Sequence, residues 1–159
     1  MVIQVGPVYE PSVRAVCVKA YPLHPHGCPN FGHKDTCPPK APRLPEVFDL
    51  TRPCYAIINS FDLGNHVTAM HLKHPEWSAR QLACCLYWQP RARKMLEMLI
   101  SAFVEGHPGH VVARCPEAMG LNVTETLRRA CVTMEWPPVN IALQVAFAAR
   151  PAPVAEPAK

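Results

Sequence analysis

Apolar side chains follow two rhythms along this chain. Short bursts rich in β-branched residues stand at 2–5 (VIQV), 13–18 (VRAVCV), 54–63 (CYAIINSFDL), 110–115 (HVVARC) and 141–147 (IALQVAF). Bursts of this length bounded by Gly, Pro or polar residues predict strands, and the one at 54–63, held between Pro53 and Gly64, predicts a buried strand. The second rhythm is helical. Leu82, Cys85 and Leu86 form one stripe, and Met95, Leu96, Leu99 and Phe103 continue it. Ser78 and Gln81 fit a capping box, and Trp77 with Leu82 fits a hydrophobic staple, so a helix starts at this point. Pro90 predicts a break, which gives a short helix over 79–88 and a longer one over 90–105 that stops at Gly106. Val123, Leu127, Ala130 and Cys131 make a last stripe behind Asn122 and Glu125, which have capping-box spacing. Residues 64–77 show no clear periodicity.

This mixed order of strands and helices predicts an α/β or α+β fold: one compact domain over 1–149, with a small sheet carrying packed helices. The end, RPAPVAEPAK over 150–159, reads as a disordered tail. A length of 159 residues agrees with a single domain. Proline changes the picture. Nineteen of them, against an ordinary share of ~5 %, mean that much of the backbone is loop, and a long Cys/His/Pro loop runs from Tyr21 to Pro45.

Charge adds little. A net charge of +4 without a dense Lys/Arg run gives no strong nucleic-acid signal, although it permits a small anionic substrate. Trp88, Arg91, Arg93 and Lys94 flank Pro90, either as an anion contact or as a solvated basic face. No stretch approaches the ~20 apolar residues of a membrane span, and the first residues lack the basic and apolar regions of a secretion signal. The expected compartment is therefore the cytoplasm, where the eight cysteines stay reduced. They are then buried thiols, reactive thiols or metal ligands.

The stretch HPHGCPNFGHKDTCPP, residues 24–39, concentrates the candidate chemistry. It is too rich in Pro and Gly for regular structure and too rich in ligand-type side chains for a plain linker. Three cysteines precede proline: Cys28, Cys37 and Cys115. At this proline content about one such pair is expected by chance. Cys-Pro recurs at iron–sulfur ligands, where the ring stiffens the loop beside the metal. Cys17 precedes the loop and completes the spacing C-x10-C-x8-C with Cys28 and Cys37. Cys17, Cys28, Cys37 and Cys115 are thus the candidate ligands of an iron–sulfur cluster, of 4Fe-4S type. The alternative is a zinc-stabilised binding module using Cys28, Cys37 and loop histidines among His24, His26 and His33. Cys54, at the start of a buried strand, is a reserve fourth ligand, while Cys85 and Cys131 lie on apolar stripes and read as core. Strand-end positions for Cys17 and Cys115 place them at one sheet edge if the two strands run parallel. Walker, dinucleotide, G-x-S-x-G and H-E-x-x-H motifs are all absent, so the sequence assigns no catalytic residue and leaves enzymatic activity open.

GCPNFGHKDTCPP (27–39) resembles the motif of a little-characterised family of small prokaryotic and phage proteins described as predicted metal-binding. Its members carry a Cys, then C-P-x-[YF]-G, then C-P-P. A second Cys- and Pro-containing region precedes a Gly-hydrophobic-[ND]-Val helix start, matched here by ARCPEAMGLNVTETLRRA (113–130). The resemblance implies metal binding and supplies no reaction.

Overall fold

The computed structural model describes residues 1–20, 25–28 and 31–153. Four strands form one antiparallel sheet: β1 (Val2–Val5), β2 (Cys54–Asp62), β3 (Val111–Ala113) and β4 (Ile141–Ala149), in the order β1-β2-β4-β3. The two long apolar bursts lie at its centre, paired from Tyr55 opposite Ala148 to Asp62 opposite Ile141. Among the described residues five α-helices accompany the sheet: α1 (Leu44–Val47), α2 (Leu63–Lys73), α3 (Ala79–Leu82), α4 (Cys85–Gly106) and α5 (Val123–Arg129). The arrangement is α+β. Among the described residues, no helix is long and apolar enough to cross a membrane.

Strand side chains alternate between the two faces of the sheet, and both faces are covered. On one face Ile57, Ala146 and Ala148 pack against Leu96, Ile100 and Phe103 of α4. On the other, Ile58, Val145 and Phe147 pack against Leu44, Phe48, Leu121 and Leu127. Phe48 meets Phe147 edge to face at 5.2 Å. Double coverage explains why β2 and β4 are apolar at consecutive positions, where a half-exposed strand would alternate.

Three elements differ from the sequence expectation. Residues 13–18 form no strand; Pro11–Val18 is a 3-10 helix. Pro11 presets φ at its start, and Val16 and Val18 remain about half exposed, so the β-branched run never reaches the core. Residues 63–73, without visible periodicity, form α2 because Asp62 caps it, accepting the Asn65 N–H at 2.9 Å. Leu63 is the one buried residue of this helix, so there was almost no stripe to read. The chain breaks at Cys84 rather than at Pro90, and α4 runs through the proline. Trp88, Ala92 and Leu96 hold both sides of Pro90 to the sheet. The carbonyl that loses its partner belongs to Leu86, whose 76 % exposure leaves it open to water.

Hydrogen bonding continues past Ala149. The Asp49 N–H donates to the Arg150 carbonyl at 2.9 Å and the Ala152 N–H to the Val47 carbonyl at 2.8 Å. The rest of the expected tail, 154–159, lies outside the described residues.

Cys131 is exposed, not core. It occupies the left-handed position that ends α5, with φ 58°. Its N–H donates to the Arg128 carbonyl at 3.1 Å and the Val132 N–H to the Leu127 carbonyl at 2.9 Å, which together form a Schellman motif. Glycine holds this conformation without Cβ strain. Cys131→Gly is therefore expected to raise stability by about 0.5–1 kcal/mol, the relieved strain exceeding the added freedom of the unfolded chain. Urea midpoints of the two proteins in the same metal state check this; an unchanged or lower midpoint refutes it.

Candidate functional site

The four candidate ligands lie on three separate pieces of backbone. Cys17 is the penultimate residue of the 3-10 helix Pro11–Val18. Cys28 and Cys37 stand in the loop. Cys115 follows β3 and caps a second 3-10 helix, Pro116–Met119. Neither Cys17 nor Cys115 ends a strand, and the sheet is antiparallel, so the expected meeting of two parallel strand ends does not occur.

Backbone hydrogen bonds bring these pieces together. The Cys28 N–H donates to the Cys17 carbonyl at 2.8 Å. The Gly32 N–H donates to the Pro38 carbonyl at 2.9 Å, folding the loop back so that Cys37 returns towards Cys28. Arg14 donates to the Pro39 carbonyl at 3.1 Å, tying the CPP segment to the first 3-10 helix. The long-range link is made before Cys17 and after Cys115. Tyr9 pairs with Leu121. The Glu10 N–H donates to the Gly120 carbonyl, and the Asn122 N–H to the Val8 carbonyl, each at 2.8 Å. The two 3-10 helices therefore lie in contact.

The Gly-Leu-Asn-Val segment has a physical account here. Gly120 takes φ +94°, and a Cβ on it would stand 2.9 Å from the Tyr9 ring. Leu121 and Val123 are core. Asn122 caps α5 by accepting the Glu125 N–H at 3.0 Å. Each residue of the segment thus serves the pairing that sets Cys115 beside Cys17.

The electrostatics report the same gathering. Burial raises the Cys17 thiol above its ordinary pKa, and Cys28, Cys37, Glu117 and Cys115 raise it further. Cys115 is raised first by the atoms crowding its thiol, although the residue keeps some solvent contact, then by Glu117 and Cys37. Arg93 and Lys34 act on Cys115 in the opposite direction. The Cys17 thiol thus lies within electrostatic reach of the other three and the Cys115 thiol within reach of Cys37, with two cations at the margin. Sequence reasoning missed Glu117, Arg93 and Lys34 as neighbours, since nothing in local spacing marks which charges face a loop.

Among the described residues, no three His, Cys, Asp or Glu side chains form a group able to hold a metal ion as they stand. A tetrahedral zinc site with Zn–S bonds of about 2.3 Å needs all its ligands at one point. A cluster spreads its thiolates over several irons and needs them around a larger volume. His26 and His33 are exposed, and His24 lies outside the described residues. Cys54 is in the core, its thiol donating to the Arg52 carbonyl at 3.3 Å and pushed up to about 11 by burial and then by Asp49.

No protein-family profile, curated protein or solved structure matches this chain.

Proposed function

We propose that this protein holds an iron–sulfur cluster, of 4Fe-4S type, on Cys17, Cys28, Cys37 and Cys115. The observation that carries the proposal is that backbone hydrogen bonds, with one more from the Arg14 side chain, tie together the three segments that carry these four cysteines. None of those bonds uses a cysteine side chain, so all four thiols remain available to a metal. The donor chemistry fits, because a thiolate group that repels itself when ionised is relieved by bound cationic iron. When bound, such a cluster supplies one-electron transfer, or Lewis acidity where an iron keeps an open position. The chain's own part is to place the thiols, to surround them with loop backbone, and to set Lys34 and Arg93 where they favour the Cys115 thiolate. All eight cysteines are free, which fits a reducing compartment, the cytoplasm.

Anaerobic reconstitution with iron and sulfide tests the proposal. The expected product is brown, absorbs broadly at roughly 400 nm and carries about four irons and four sulfides per chain. A colourless protein with one zinc and no sulfide replaces the cluster by a zinc site. A folded protein that takes up neither metal removes both.

A further inference from the structure

A cavity of about 680 Å³ opens between α2 and α4 at the end of β2. Its size lies within the ~300–1,000 Å³ of small-molecule sites. Arg91 lines it, whereas Arg93 faces Cys115. Two residues apart on a helix is about 200° of rotation, so the cavity and the cysteine group occupy opposite flanks of α4. The inference drawn from the cavity does not depend on the metal reading.

One wall is aromatic. Phe61 and Trp88 stack at 5.1 Å and 17°, and the Trp88 indole N–H donates to the Ala83 carbonyl at 3.3 Å, which fixes the ring. Arg91, one turn after Trp88 on α4, and Lys73 of α2 also line the cavity. Neither makes an ion pair among the described residues. The one carboxylate of the lining, Asp62, is occupied by Asn65, which donates to it from its backbone N–H at 2.9 Å and its side-chain amide at 2.6 Å. Asp62 keeps its negative charge under these bonds, so Arg91 and Lys73, free of ion pairs, leave the lining with one net positive charge.

His66 supplies the decisive oddity. Its Nε2 is shielded from solvent and has no hydrogen-bond partner. Native proteins leave few such atoms unsatisfied, and each calls for a reason. Burial first, then the Arg91 charge, hold this imidazole below its usual pKa, so it is neutral at pH 7. A neutral ring nitrogen can bond a ligand without adding charge. A basic surface alone would explain Arg91 and Lys73; it leaves the orphan nitrogen unexplained.

We propose that this cavity is a binding site for a small organic anion with an apolar or aromatic body. The body lies against Phe61 and Trp88, its carboxylate or phosphate meets Arg91 and Lys73, and a turn of the His66 ring, whose Nε2 is shielded here, offers that nitrogen to a ligand polar atom.

Calorimetric titration of the full chain tests this with three probes: phenyl phosphate, phenol and inorganic phosphate. Phenyl phosphate is expected to saturate one site, with phenol and inorganic phosphate each at least about tenfold weaker, since each lacks one half of the recognition. Arg91 is exposed, so Arg91→Gln should leave the fold intact and weaken phenyl phosphate about tenfold. Ala69→Trp, on the exposed side of α2, should fill the cavity and abolish binding. Lys40→Gln, whose ion pair with Asp35 lies in the cysteine loop, should change nothing. The proposal is overturned by the absence of saturable binding at millimolar phenyl phosphate, by equal affinity for inorganic phosphate, or by unchanged affinity in Arg91→Gln or Ala69→Trp.

Discussion

Serine at Cys17, Cys28, Cys37 or Cys115 is expected to abolish iron uptake by the proposed cluster site, while serine at Cys85 or Cys131 leaves it unchanged. The contrast is set by position. The first four share one neighbourhood; Cys85 packs beside Trp88 and Ala92, and Cys131 is exposed at the end of α5. An oxygen ligand binds iron less well than a thiolate, and each removal should lower metal affinity by more than the ~10–100-fold of an outer-shell change. Stability should fall with it, because whatever binds only the folded state adds its binding free energy to folding. Iron and sulfide analysis and thermal melts on all six variants provide the check. Equal iron in the Cys37→Ser and Cys85→Ser proteins would refute the ligand assignment. Full iron in Cys115→Ser alone would remove the long-range ligand and leave a three-thiolate site.

That contrast was only partly legible in the sequence, for a reason that also separates the correct strands from the misread ones. Local signals were accurate where local physics decides. The apolar runs of β2 and β4 are dense because both faces of the sheet are covered, and the Ser78–Gln81 and Asn122–Glu125 spacings cap helices because the bonds span one turn. Signals failed where tertiary context decides. VRAVCV has strand composition, but no neighbouring strand offers it an edge, and Pro11 starts a 3-10 helix instead. Pro90 should break a helix, yet a buried stripe on both sides holds the helix together. The site divides in the same way. Cys-Pro pairs and loop composition picked out Cys28 and Cys37 directly. The Cys-Pro pair marked Cys115 as a candidate too, but the pairing of Tyr9 with Leu121, which brings its segment to that of Cys17, joins residues remote in sequence that no spacing rule could reveal. The orphan His66 nitrogen was equally hidden, since α2 itself left no periodic trace.

A residue with no donor atom should matter to the metal almost as much as a ligand. Gly27 has φ +79°, and a Cβ added there would stand 2.6 Å from the Cys17 carbonyl oxygen and 2.9 Å from the Val18 carbonyl carbon. Both are backbone atoms, so no side chain can swing away to make room. The close approach is what lets the Cys28 N–H reach the Cys17 carbonyl at 2.8 Å. Gly27→Ala must therefore push the two cysteines apart, and its left-handed backbone adds about 1–2 kcal/mol of strain. Metal affinity is expected to fall by about 10–100-fold, the scale of an outer-shell change that misplaces a ligand. Far-UV circular dichroism should stay close to the parent spectrum, because β2, β4 and α4 do not include this loop. Gly32 is the control. It is also left-handed, at φ +74°, but has open space around it, so Gly32→Ala carries the backbone strain without the collision. Competition with a chelator at fixed iron compares the two. Gly27→Ala iron retention equal to that of the parent would show that the Cys17–Cys28 contact does not organise the site. Equal losses in both variants would attribute the effect to loop strain and not to the approach of the two cysteines.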